Sequence, residues 1–142
     1  MTKIPPEIIR ASIKTGSVYY FSEDSFSTAD PHYFVVLNCN PRTSEVIILG
    51  CASSQIEKTL MRRSYCSPET LVLITPDEYD EFSETSIFDC NRTINRTIDE
   101  IMQKYSDGKL KIKTEMNNTL VDRLKQAVIA SNQIEPRIKA LL

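Results

Sequence analysis

The side chains whose types and placement could do chemistry are His32, Ser53, Ser54, Lys58, Arg62, Arg63 and Arg92. His32 is the only histidine, and imidazole is the side chain best suited to take or give a proton near neutrality. An arginine such as Arg92 can grip an oxyanion through two parallel hydrogen bonds, and the hydroxyls of Ser53 and Ser54 can donate further ones. Lys58, Arg62 and Arg63 form a basic cluster free of acids in its spacing, a means of drawing in a polyanion. Together these groups suit proton transfer beside a bound anion.

The elements that must hold them are legible around the segment Pro31 to Gln55. Two apolar runs, Tyr33 to Leu37 and Val46 to Leu49, flank the turn-forming string Asn38 to Glu45 and read as a buried β-hairpin, with His32 at one end and Ala52-Ser53-Ser54-Gln55 at the other. Further strands are expected at Ser17 to Phe21, Thr70 to Ile74 and, as one moderately patterned run, Ser86 to Asn95. Lys109 to Lys113 alternates strictly and reads as an edge strand guarded by lysines or an exposed linker. The segments Ser22 to Asp30 and Gln55 to Pro68 read as a flexible loop and a long basic connection.

Helix signals begin with Pro5-Pro6-Glu7, a helix stopped at Gly16, and a single turn capped at Thr75 with Glu78. Thr97 and Glu100 make a capping box ahead of Ile98, Ile101, Met102 and Tyr105. Asn117 or Asn118 caps a helix carrying Leu120, Val121, Leu124, Ala127 and Val128, and a last piece starts near Pro136. The expected class is α+β: one domain over 1–142, a small antiparallel sheet or barrel over residues 16–95, and a helical part over 97–142. The C-terminal helix is expected to pack on the barrel or on a second subunit.

Composition narrows the function classes. With 41% hydrophobic and 25% charged residues, the chain has the makeup of a folded domain. Its apolar runs reach only about five residues, against roughly 20 for a membrane-spanning helix. The start, Met1 to Pro6, lacks the apolar stretch of a signal peptide, so a cytoplasmic protein is expected. Cys39, Cys51, Cys66 and Cys90 are dispersed without a close pair, which argues for packed free thiols and against a zinc site. A net charge of −2 argues against broad affinity for nucleic acid, although Asp77, Glu78, Asp80, Glu81 and Glu84 could set an acidic face against the basic cluster.

In order and spacing these fragments resemble the MazF/PemK family of small toxins, in its divergent PemK-like branch. The resemblance rests on Gly16-Ser17-Val18-Tyr19-Tyr20, Pro31-His32 before Tyr33 to Asn38, Ala52-Ser53-Ser54-Gln55, and Arg92-Thr93-Ile94-Asn95 ahead of the helix at Thr97. It covers about the first 105 residues. It implies an SH3-like β-barrel homodimer that cleaves single-stranded mRNA without metal or other cofactor and is silenced by a small antitoxin protein; a relative of the same fold instead poisons gyrase. Carried onto this chain, His32 would act as base or acid, Arg92 would hold the phosphate, Ser53 or Ser54 would donate to it, and Lys58, Arg62 and Arg63 would steer RNA. The chain departs from the pattern where His32 stands in place of a strand-start arginine and Asn95 in place of an aspartate.

Each residue also has a structural reading. His32 beside Pro31 could be a turn residue, Arg92 could pair with Asp89 or Glu100, and the serines could end a strand by bonding nearby backbone. Tyr19, Tyr20, Tyr33 and Phe34 could stack bases or simply fill the core. A non-catalytic barrel that binds protein or nucleic acid is the alternative function.

Overall fold

The computed structural model describes residues 4–142; Met1 to Lys3, where the segment read for a leader begins, lie outside the described residues. The strands are β1 Val18–Phe21, β2 His32–Val36, β3 Val46–Ser53, β4 Leu71–Ile74, β5 Ser86–Asp89, β6 Ile94–Thr97 and β7 Leu110–Lys113. The helices are α1 Pro6–Ser12, α2 Pro41–Ser44, α3 Ile56–Arg62, α4 Ile98–Ser106, α5 Asn118–Ala130 and α6 Pro136–Lys139. All strand pairs are antiparallel in a seven-stranded sheet ordered β4-β5-β3-β2-β1-β7, with β6 also on β3. The class is therefore α+β.

The apolar runs of β2 and β3 are continuous rather than alternating because both faces of the sheet are covered. On one face, Val18, Val35, Leu37, Ile48 and Ala52 pack with Leu120, Val121, Leu124, Ala127 and Val128 of α5. On the other, Tyr19, Phe21, Phe34, Val36, Ile47 and Leu49 pack with Ile9 and Ile13 and with Ile98, Ile101 and Met102 of α4. Each such side chain withdrawn from water contributes about 1.5–3 kcal/mol. The apolar stripe of α5 is thus consumed within its own chain.

Local signals set the element ends. Thr97 and Glu100 exchange both bonds of a capping box, and the Asn117 side chain accepts from the Leu120 amide. Gly16 adopts φ +94°, and an added Cβ would stand 3.0 Å from the Met116 carbonyl, so glycine is required where α1 turns into β1. Lys109 to Lys113 contributes β7, which pairs with β1, so the C-terminal part returns one strand to the sheet.

Two expectations are corrected, those for the run Ser86 to Asn95 and for the connection after Gln55. The sheet is open: its two ends, β4 and β7, are not joined by a ladder. Side chains span that gap instead, with the Glu81 carboxylate accepting from the Thr114 amide at 2.8 Å and the Tyr79 hydroxyl donating to the Thr114 carbonyl at 2.5 Å. The run Ser86 to Asn95 is two strands lying in succession along the same edge of β3, Phe88 opposite Ala52 and Ile94 opposite Leu49. Residues 90–93 bulge out between them, because the Cys90 amide bonds Thr70 and the Asn91 side chain turns inward to Thr70 and Ser131. The basic connection after Gln55 folds as α3, and the Thr75 to Glu78 box closes the single turn expected there, the Tyr79 amide bonding the Thr75 carbonyl at 3.0 Å. No helix among the described residues is long and apolar enough to cross a membrane.

Candidate functional site

The site forms where β3 parts from β2. Through Leu49, Gly50 and Cys51, β3 pairs with Val36, Val35 and Phe34, but its next residues, Ala52 and Ser53, pair with β5 on the opposite edge. The corresponding residues of β2, Tyr33 and His32, pair only with Tyr20 and Phe21 of β1. The strands splay, and a cavity of about 660 Å³ occupies the fork.

This cavity gathers every expected site residue except Arg63: His32, Ser53, Ser54, Lys58, Arg62 and Arg92 all line it. They come from four parts of the fork. His32 opens β2, Ser53 and Ser54 end β3, Lys58 and Arg62 come from α3, and Arg92 projects from the bulge between β5 and β6. Arg63 instead turns away, donating through Nε to the Asp89 carboxylate at 2.8 Å and through Nη1 to the Tyr65 hydroxyl at 2.9 Å. Of the three cations expected to steer RNA, it is the one paired closely with Asp89 and outside the cavity lining.

That pairing decides what the other cations do. The Asp89 side chain is 8% exposed; burial pushes its carboxyl up, but bonds from Arg63 and from the amide and side chain of Asn91 outweigh this and hold it below the usual carboxylate range. Arg62 stands 3.7 Å from the same carboxylate, more loosely held at the rim. With Asp89 engaged and Glu100 committed to the Thr97 cap, Arg92 has neither proposed acid as partner. Its guanidinium lies over the Phe26 ring, 4.7 Å from the centroid, and it is exposed. An arginine over an aromatic ring, with no carboxylate partner among the described residues, is ready for an anion.

His32 touches the same ring, edge to face at 5.3 Å between centroids. Arg92 and His32 therefore share Phe26 as a neighbour. The Nδ1 atom of His32 is buried and has no hydrogen-bond partner among the described residues. Unpaired there, it costs about 1–3 kcal/mol in either tautomer, as a donor or as an acceptor.

The serines differ. The Ser53 hydroxyl accepts from the Gln55 amide at 3.1 Å and so ends β3, while keeping a hydrogen to give; Ser54 is exposed. Asn95 lies on β6 opposite Ile48, accepts from Thr93 at 3.1 Å and does not line the cavity. The asparagine that departs from the toxin pattern thus sits outside the fork. Cys51 reaches the cavity wall, but burial pushes its thiol up to about 12, as it does Cys90, so neither is a nucleophile near neutrality.

Among the described residues, no group of three or more His, Cys, Asp or Glu side chains could hold a metal ion. No protein-family model matches the chain, and no curated protein matches it.

Two contributors escape a sequence reading. Phe26 sits in a segment that reads as a polar loop, yet it is the shared platform for His32 and Arg92. In the same loop Glu23, 2% exposed, is ion-paired with Arg96 of β6 and accepts from the Ser25 hydroxyl at 2.6 Å, anchoring the segment that carries Phe26. Burial pushes the Glu23 carboxyl up, and Ser25 and Arg96 outweigh it to leave it low. The available signal was one lone aromatic among serines and the acids Glu23, Asp24 and Asp30, and the partner of Glu23 lies 73 residues on.

Proposed function

We propose that the fork cavity binds single-stranded RNA and cleaves it, the protein acting as a toxin of the MazF/PemK kind in a type II toxin-antitoxin pair, in the cytoplasm and as a homodimer. In this reading the open sheet is an SH3-like barrel whose last gap is spanned by the side chains of Tyr79 and Glu81. The carrying observation is the convergence in one cavity of Arg92, without a carboxylate partner, with His32, Ser53, Ser54, Lys58 and Arg62.

Cleavage would proceed by attack of a ribose 2′-oxygen on the adjacent phosphorus. The O2′–P bond forms and the P–O5′ bond breaks. The 2′-hydroxyl proton is lost and the 5′-oxygen gains one, leaving a 2′,3′-cyclic phosphate and a 5′-hydroxyl. Arg92 and the serine hydroxyls suit the phosphoryl oxygens, where charge grows. Lys58 and Arg62 suit neighbouring phosphates. His32 suits hydrogen-bond donation from Nε2 better than proton transfer. Among the described residues no group bonds Nδ1 to orient the ring, whereas a catalytic base is held in place by such a third group.

That observation favours a second reading, in which the cavity binds RNA without cutting it. Purified protein incubated with a long single-stranded RNA in EDTA separates the two. The proposal expects discrete products with cyclic phosphate ends, a loss on the order of a hundredfold or more in Arg92→Ala, and activity retained in His32→Gln, whose side-chain amide can replace the Nε2 donor. Binding without products would leave the second reading. Cleavage unaffected by Arg92→Ala would overturn the site.

A further inference from the structure

We infer that Tyr20 and Tyr33 form a platform for a nucleobase within the fork, so that the site takes single-stranded nucleic acid by its bases as well as by its phosphates; this rests on the RNA reading above. The aromatic residues of β1 and β2 divide into two pairs. Tyr19 and Phe34 are 2% and 0% exposed and belong wholly to the core. Tyr20 and Tyr33, directly opposite one another in the ladder, are half-buried and line the cavity.

Their rings lie 4.6 Å apart between centroids but are tilted by 48°, so they do not cover each other as a flat stack. Tyr33 is held in place, its hydroxyl donating to the Glu81 carbonyl at 3.1 Å and its ring meeting Phe82 edge to face at 5.2 Å. A fixed aromatic wall costs little entropy to offer a ligand. The same cavity is lined by the cations Lys58, Arg62 and Arg92 and by the acids Asp30, Glu84 and Asp89, the last held by Arg63. Aromatic surface beside cations matches a single strand, whose unpaired bases expose π-faces next to its phosphates, and not a duplex, whose bases are stacked away. The Lys113 ammonium, 5.6 Å from the Tyr20 centroid, adds a further cation beside that wall.

The test uses the full chain and two 2′-O-methyl RNA oligonucleotides of equal length, which lack the attacking hydroxyl and cannot be cut: one of uridines, one abasic throughout. Fluorescence anisotropy should show the uridine strand bound on the order of ten- to a hundredfold tighter than the abasic one, the range expected for stacking of a base on an aromatic side chain. Tyr20→Ala should abolish that preference, and Tyr20→Phe should keep it. Equal binding of the two strands by the unaltered protein, or a preference that survives in Tyr20→Ala, would overturn the platform while leaving the phosphate contacts standing. Failure of both strands to bind would overturn the RNA reading and the platform with it.

Discussion

The two ends of β3 meet opposite fates. Toward its start, Val46 to Leu49 pair with β6 on one edge, and on the other the buried Asn38 side chain donates to the Val46 carbonyl at 2.7 Å and accepts from the Ile48 amide at 3.1 Å. Every ladder position there is filled by backbone or by an amide acting in its place. Toward its finish, Ala52 and Ser53 keep β5 and give up β2, and the edge so released becomes a cavity wall. One end maximises burial and pairing; the other leaves polar groups uncommitted, which stability alone does not favour and a binding site requires.

The largest expected effect tests the closed end. Leu49, fully buried, should lose about 2–5 kcal/mol of stability as Leu49→Ala, measured by urea denaturation, with RNA affinity of the folded fraction unchanged. If affinity falls in step, the two ends are not separable.

Next comes acid. Asp89 and Glu23 have folded carboxyls held below their ordinary values, so their pairing stabilises fully above the unfolded carboxylate value of about 4 and is lost as pH falls below it. Asp89→Asn should lower stability near pH 7 by about 1–3 kcal/mol, since Arg63 loses its charged partner. It should also flatten the loss seen in the unaltered protein between about pH 4 and pH 2. Denaturation midpoints across that range check it; an unchanged acid limb would remove Asp89 from the account.

Arg92→Ala should leave stability within about 0.5 kcal/mol, because the residue is exposed, while weakening RNA binding roughly tenfold. A large stability loss would make Arg92 structural, a clamp for Phe26. Smallest of all, Lys58→Ala should weaken binding a few-fold and reduce the slope of log affinity against log salt by about 0.7. An unchanged slope would place Lys58 off the phosphate path.

The closed end is also the legible one. The apolar runs of β2 and β3, the Thr97 and Glu100 box and the Asn117 cap are all signalled within a few residues, and each stands in the structure, while the helix expected to stop at Gly16 ends earlier, at Ser12. What escaped was set by distant partners. The bulge at residues 90–93 exists because Asn91 reaches Thr70 and Ser131, donating at 2.8 Å and accepting at 2.7 Å. Helix α3 buries only Thr59 and exposes Leu60 and Met61, so its apolar residues do not mark a core face. The site residues were recognisable by type, but the fork that unites them, the diversion of Arg63 to Asp89 and the seat of Arg92 on Phe26 depend on a strand changing partners. No periodicity announces that.

The central claim is that the open end of β3 is the binding surface and that Arg92 is its anion contact. A titration of labelled single-stranded RNA in EDTA, with the unaltered protein, Arg92→Ala and Lys125→Ala on α5 beside Cys39, outside the cavity lining, tests it most directly. Binding that weakens roughly tenfold in Arg92→Ala and stays near the original in Lys125→Ala is the predicted result. Equal weakening in both variants, or none in Arg92→Ala, would contradict it.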